Sequence, residues 1–251
     1  MGKLVIAVAI FISCSTTKQS GHMHKNTGYK FSSVPADTAF LETLLKNNPV
    51  YFADILKSHK DWNVQIIYTQ VNRGTNGIPD LVHHYYHVDA GKYFYPASTV
   101  KLPIVLLALQ KLNELKDRGI DMNSTMLTET AFSGQTAVFN DPTTVDGRPS
   151  VAHYIKKILM VSDNDAFNRL YEFLGQEYIH AELKKKGYDN VQILHRLNIF
   201  LTEEENRSTN PVKFYNGSKL QYEQAAQKSE LKYASRKDSI GKGYYKGGTF
   251  V

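Results

Sequence analysis

The chain has one cysteine, one tryptophan, and no long apolar run beyond its first residues. With Cys14 alone, no intrachain disulfide can form. The apolar stretch Leu4 to Ile12 falls far short of the roughly 20 residues that cross a bilayer, and no other segment reads as membrane-spanning. No segment repeats. Basic residues are scattered apart from Lys184-Lys185-Lys186, which sits late in an expected helix where positive charge suits the dipole. That run reads as a solvated helix end rather than a polyanion site. No basic-aromatic module accompanies the net charge of +6, so no nucleic-acid partner is expected. What is present is core material: 42% hydrophobic and 12% aromatic residues over 251 positions, which excludes a disordered chain.

Met1-Gly2-Lys3 is a short basic start, followed by the apolar run and then Ser13-Cys14. This is the layout of a signal peptide with a small residue before its cut. So placed, Cys14 resembles the lipidated cysteine of a bacterial lipoprotein, although Phe11 stands where leucine is usual. The alternative is an ordinary secretory signal with an incidental cysteine. The expected organisation is a signal peptide over 1–14, a polar tether over 15–33 and one folded domain over 34–251. Such a protein is exported, periplasmic or held at the cell envelope, with a lipid anchor as its one membrane link.

Phe40, Leu41, Leu44 and Leu45 recur at helical spacing, and a second helical stretch runs through Phe52, Ile55 and Leu56. Val64 to Val71 and Leu81 to Val88 read as strands joined by an Asn76-Gly77 turn into a hairpin. His83, His84 and His87 in the second strand invite a metal reading. However, His83 and His87 would lie about 13 Å apart along a strand, with His84 facing the other way, so no metal site is expected. Val100 to Leu115 is apolar nearly all round, the pattern of a buried helix. A turn-rich stretch from Asp121 to Arg148 follows. Helices are expected over Val151 to Met160, through Phe167, Leu170, Tyr171 and Leu174 to a stop at Gly175, and from Ile179 to Lys186 before Gly187.

Tyr95-Pro96-Ala97-Ser98-Thr99-Val100-Lys101 opens the buried helix. Ser98 falls at its first turn, where unpaired N–H groups and the positive dipole end suit an oxyanion or a carboxylate. Lys101, three residues on, shares its face. A lysine entering an apolar helix is costly unless paired or neutral, and burial lowers its pKa, as a base for a serine hydroxyl requires. Alone, a Ser-x-x-Lys string is common by chance. A second string, Val161-Ser162-Asp163-Asn164, lies between two expected helices, where Ser162-Asp163-Asn164 also reads as a helix N-cap.

The pair of strings, with Tyr95 to Leu109 and Ile158 to Gly175 around them, resembles the class A β-lactamases and penicillin-binding proteins. The resemblance implies an α+β (α/β) fold with a helical subdomain, an antiparallel sheet subdomain, and the cleft between them. It implies Ser98 as nucleophile, Lys101 as base, and Ser162 relaying protons to the leaving nitrogen. Asn164 would hold the substrate amide and the Lys101 side chain, while Asp163 turns inward to brace its loop. The implied partner is a β-lactam or a peptidoglycan stem peptide ending in D-alanine. A monomer is expected, with no cofactor and no metal. The other reading is a non-catalytic envelope lipoprotein that binds stem peptide on the same scaffold.

Two departures from the family pattern bear on activity. His195-Arg196-Leu197-Asn198 matches the loop that carries Arg-x-Glu in the hydrolysing enzymes, and here Asn198 replaces the glutamate that activates water. Glu203, Glu204 and Glu205 are nearby but read as an exposed acidic run. After Pro211 the chain reads as a polar stretch. Lys246-Gly247-Gly248 is a weak stand-in for the family's Lys-Thr-Gly strand, in what reads as a loop. The domain over 34–251 is therefore expected to be truncated at its C-terminal end, with the sheet incomplete.

Overall fold

The computed structural model describes residues 38–73, 79–132, 134–232, 245–246 and 249–250. The expected signal peptide with Cys14, the tether up to residue 33, the Asn76-Gly77 turn, and Gly247-Gly248 lie outside the described residues. Helix α1 spans Thr38–Lys46 and α2 spans Pro49–Ser58, the latter started by Pro49, whose fixed φ suits a first helical position. Strand β1, Ile66–Arg73, pairs antiparallel with β2, Pro79–Tyr86, in a register that sets Ile66 against Tyr86 and Val71 against Leu81. Leu41 and Leu45, one helical turn apart on α1, bury against Tyr86, with Phe52, Leu56, Val64 and Ile66 around them. This forms a small core of its own.

The second strand ends one residue earlier than the histidine spacing assumed. His87 lies beyond β2 with φ 48, in the left-handed region, so it shares no strand face with His83. His87 stacks on His59 at 4.2 Å, His84 lies 4.4 Å from the Phe40 ring, and His83 bonds the Thr69 hydroxyl at 2.9 Å.

The larger core is built on α3, Lys101–Glu114, which packs against α4, Val151–Val161, and α5, Asn164–Leu174, and touches α6, Gln176–Lys185. Ile104, Leu107 and Ala108 of α3 meet Tyr154 and Ile158 of α4, Phe167, Leu170 and Tyr171 of α5, and Ile179 and Leu183 of α6. The apolar wrap of α3 does not bury it on all sides: Leu102 is 45% and Leu106 57% exposed. Four residues apart, they share the one face that no described element covers. Among the described residues, no helix is long and apolar enough to cross a membrane.

The stretches read as turn-rich and polar contain a sheet. Strand β3, Thr125–Thr128, pairs antiparallel with β4, Val212–Asn216, which pairs with β5, Lys219–Gln224. Val212 and Phe214 alternate inward, and Gly217 turns the hairpin at φ 62. Phe214 meets the Phe173 ring of α5 edge-on at 5.1 Å, so the sheet docks on the helices through a pair of aromatics. The loop expected around Lys246 contains two two-residue strands, β6, Tyr245–Lys246, and β7, Thr249–Phe250, paired antiparallel. The fold is α+β, as its helix and strand content shows.

Candidate active site

Ser98 does not stand in the first α-helical turn. It lies in a 3-10 turn, Ala97–Val100, and Lys101 is the first residue of α3. Ala97 precedes the serine at φ 47, a conformation that costs an alanine of order 1–2 kcal/mol. The tight turn leaves Ser98 exposed, while Lys101 is only 3% exposed.

The second string sits at the junction of α4 and α5. Ser162 ends α4 in the left-handed conformation, φ 55, with its N–H donating to the Ile158 carbonyl at 3.1 Å. Glycine is usual in such a place; a serine there is strained, a feature that gathers at functional sites. The turn aims both Ser162 oxygens at one target. Lys101 Nζ donates to the Ser162 carbonyl at 2.5 Å and to its hydroxyl at 2.8 Å. It also lies 2.7 Å from Asn164 Oδ1 and 3.2 Å from Ser98 Oγ. Four oxygens thus surround an amine that has at most three hydrogens. Burial pulls this amine below the ordinary lysine value, opposed by the field of the Asp163 carboxylate.

Asp163 faces its own loop. One carboxylate oxygen caps α5 by accepting from the Ala166 N–H at 2.8 Å, and the other pairs with Lys157 at 3.6 Å. Ser98, Lys101, Ser162 and Asn164 are therefore brought together, with Asp163 as the brace beneath them. Cys14 lies outside the described residues.

The helix that begins with Asn164 also holds the neighbouring loops, through polar side chains that the apolar pattern gave no reason to single out. Asn168 clamps the backbone of Leu197, accepting from its N–H at 2.8 Å and donating to its carbonyl at 3.0 Å. Arg169 donates to the Thr136 carbonyl and hydroxyl at 2.8 and 2.7 Å. Glu172 pairs with the guanidinium of Arg196 and accepts from the Asn210 N–H at 2.5 Å. The only hint in the sequence was that Asn168 and Glu172 stand four apart beside the apolar stripe.

In the loop so held, Asn198 is exposed with φ 55, a conformation that asparagine tolerates better than most residues. The acidic run begins a short helix, α7, Glu203–Arg207. Glu205 closes a capping box with Thr202, Glu203 pairs with Arg207 at 2.6 Å, and Glu204 pairs with Lys228. Lys185 and Lys186 of the basic run both pair with Glu182. Among the described residues, no group of three His, Cys, Asp or Glu side chains could hold a metal.

The arrangement can do what two separate strings could not: one amine contacts two serine hydroxyls and an amide at once. Comparison with curated proteins and with solved structures finds no match. A family model described as "Beta-lactamase enzyme family" matches residues 50–237, a span that takes in both serines, the lysine between them and the loop of Arg196. Covering most of the chain, that match makes it a member of the β-lactamase enzyme family, the β-lactamase-like serine hydrolases.

Proposed function

We propose that this chain forms an acyl-enzyme on Ser98, with a β-lactam or a D-alanyl peptide-like amide of the peptidoglycan stem as acyl donor. The observation that carries the reading is the single buried amine of Lys101, within reach of both Ser98 Oγ and Ser162 Oγ. In its neutral form Lys101 takes the Ser98 proton as Oγ attacks the carbonyl carbon. The C–N bond of the amide then breaks. Ser162 gives its hydroxyl proton to the leaving nitrogen and is reprotonated from Lys101. Asn164 keeps Oδ1 on Lys101, which leaves its amide N–H groups to hold the substrate carbonyl. Water, or an acceptor amine, finally cleaves the Ser98 ester.

Release is the slow step in this reading. Asn198 occupies the place where the hydrolysing relatives keep a carboxylate, and an amide cannot take a proton from water. Glu205 is engaged in its capping box and Glu204 with Lys228. Asn198 is also the observation that favours the second reading, a non-catalytic binder of stem peptide. The pattern from Met1 to Cys14 supports an exported protein, tethered by lipid on Cys14.

Incubation with a fluorescent penicillin, followed by intact mass over time, separates the two. We expect wild type to gain the mass of the ring-opened antibiotic and hold it, and Ser98→Ala to gain nothing. A wild type that takes up no acyl donor, neither penicillin nor a D-alanyl thioester, overturns the acyl-enzyme and leaves the binder.

A further inference from the structure

Beneath the Ser162 turn lies a chain of charges that the proposed reaction leaves unused. Lys157, on the last turn but one of α4, sits between two carboxylates: Asp141 at 3.1 Å and Asp163 at 3.6 Å. It is joined to Asp163 a second time through the backbone, where the Asp163 N–H donates to the Lys157 carbonyl at 3.3 Å. Asp141 is itself buried and fixed. It accepts from the Thr143 N–H at 3.0 Å and the Thr143 hydroxyl at 2.5 Å, and its own N–H donates to the Gly147 carbonyl at 2.9 Å. The loop of Asp141 is thus a rigid mount. His153 stands behind it, 2.8 Å from Thr143 Oγ1 and 3.4 Å from the Asp141 carboxylate.

The geometry points to Lys157 as a positioning residue for the candidate site: tied to the Asp141 loop, it fixes Asp163 and offsets the field that this carboxylate casts on Lys101. This rests on the acyl-enzyme reading only for its effect on rate. The electrostatic part stands on its own. Asp163 directly follows Ser162, whose two oxygens touch the Lys101 amine, so its negative charge favours protonated Lys101. Lys157 is the cation against it.

The charged groups facing the site from the packed elements agree with this assignment. From α4 come Lys157 and, behind Asp141, His153. From α5 come Asp163 at its cap and Asp165, the latter bound to Arg169 at 2.7 Å. The Glu182 carboxylate of α6 meets α3 at Gln110, more than two turns away from Lys101. Burial works against a charged Lys157, but its bond to Asp141 and the fields of Asp163, Asp141 and Asp165 outweigh it, and the net shift is upward. Burial likewise works against a charged Asp141, yet the Thr143 bonds and Lys157 bring its pKa to about 2. Both groups therefore carry their charges across the neutral range.

The test is the titration of Lys101, followed by the NMR shift of its side-chain methylene next to nitrogen. It is read in wild type, Lys157→Met and Lys157→Arg, with assignment by Lys101→Arg. Removing the Lys157 charge exposes Lys101 to Asp163 and should raise its midpoint, while arginine should keep the wild-type midpoint. Each unit of rise leaves about tenfold less neutral amine on the acid side of the midpoint, so labelling of Ser98 by penicillin near pH 7 should slow by the factor that the measured shift sets. An unmoved midpoint in folded Lys157→Met overturns the proposal. If Lys157→Met fails to fold, Lys157→Gln decides by the same readout: its Lys101 midpoint should rise above that of wild type and of Lys157→Arg, and an unmoved one would sink the idea. Absent labelling of wild type would count against the acyl-enzyme alone, since the titration needs no turnover.

Discussion

Two buried lysines lie on one helix for different reasons. Lys101 is surrounded by the oxygens of a strained turn, and its string announced it. Lys111 was not legible, because its partners come from elements far along the chain. It donates to the Phe173 carbonyl at 2.5 Å and to Gln224 Oε1 at 2.7 Å, and lies over the Phe173 ring at 4.5 Å. Burial brings its amine from the ordinary 10.5 down to about 8, opposed by the field of the Glu114 carboxylate. The folded value lies below the unfolded one, so between pH 8 and 10.5 the unfolded chain holds more protons and stability from this group rises with pH. Below pH 8 the full cost of burying the charge remains. Urea unfolding of wild type and Lys111→Met at pH 7.5 and 10 should show wild type gaining on the variant by about 2 kcal/mol. A constant difference between them would mean that Lys111 keeps its ordinary affinity for protons in the fold, its amine solvated there.

At the scale of elements, helices were legible where one face is apolar and the end is marked. The run Phe167, Leu170, Tyr171, Leu174 before Gly175 is α5, and the Asp163 cap begins it. The strands after Pro211 were missed. Each is five or six residues long, and only Val212 and Phe214 alternate as buried residues ahead of Asn216-Gly217, too few positions to stand out from a polar stretch. The wrap of α3 misled in the other direction, since an apolar residue marks a face as able to be buried without supplying the element that buries it. What α5 does for the neighbouring loops is the part with energetic consequences. The pair of Glu172 and Arg196 is almost wholly shielded from solvent, and each partner also bonds backbone, at Asn210 and at Ser208. Removing one partner strands a buried charge. Glu172→Met or Arg196→Met alone should cost about 3–5 kcal/mol, whereas the double change to methionine should recover most of that loss. Chemical denaturation of the three variants checks it. Additive losses in the double variant would show that the two side chains act independently.

At the scale of the molecule, the two strings and their helical settings were enough to read an α+β member of the β-lactamase family, and the matching family model spans both strings. How the mass is divided was not legible. Among the described residues, none belongs to both hydrophobic cores: Leu41, Leu45 and Tyr86 form one, and the residues packed around α3 and α5 form the other. A core of three buried side chains, with four partly buried ones against it, has little area to lose before it opens. Leu45→Ala removes one of the three and should cost about 2–5 kcal/mol, close to the whole local stability of so small a cluster. Amides of β1 and β2 should then exchange with solvent much faster, while those of Phe167 to Leu174 in α5 keep their protection. The site is carried by α3 and by the junction of α4 and α5, so penicillin labelling of Ser98 should persist in this variant. Equal acceleration in β1 and α5 would mean that the halves unfold as one body, and the small core would then be a buttress of the site rather than a separate unit beside it.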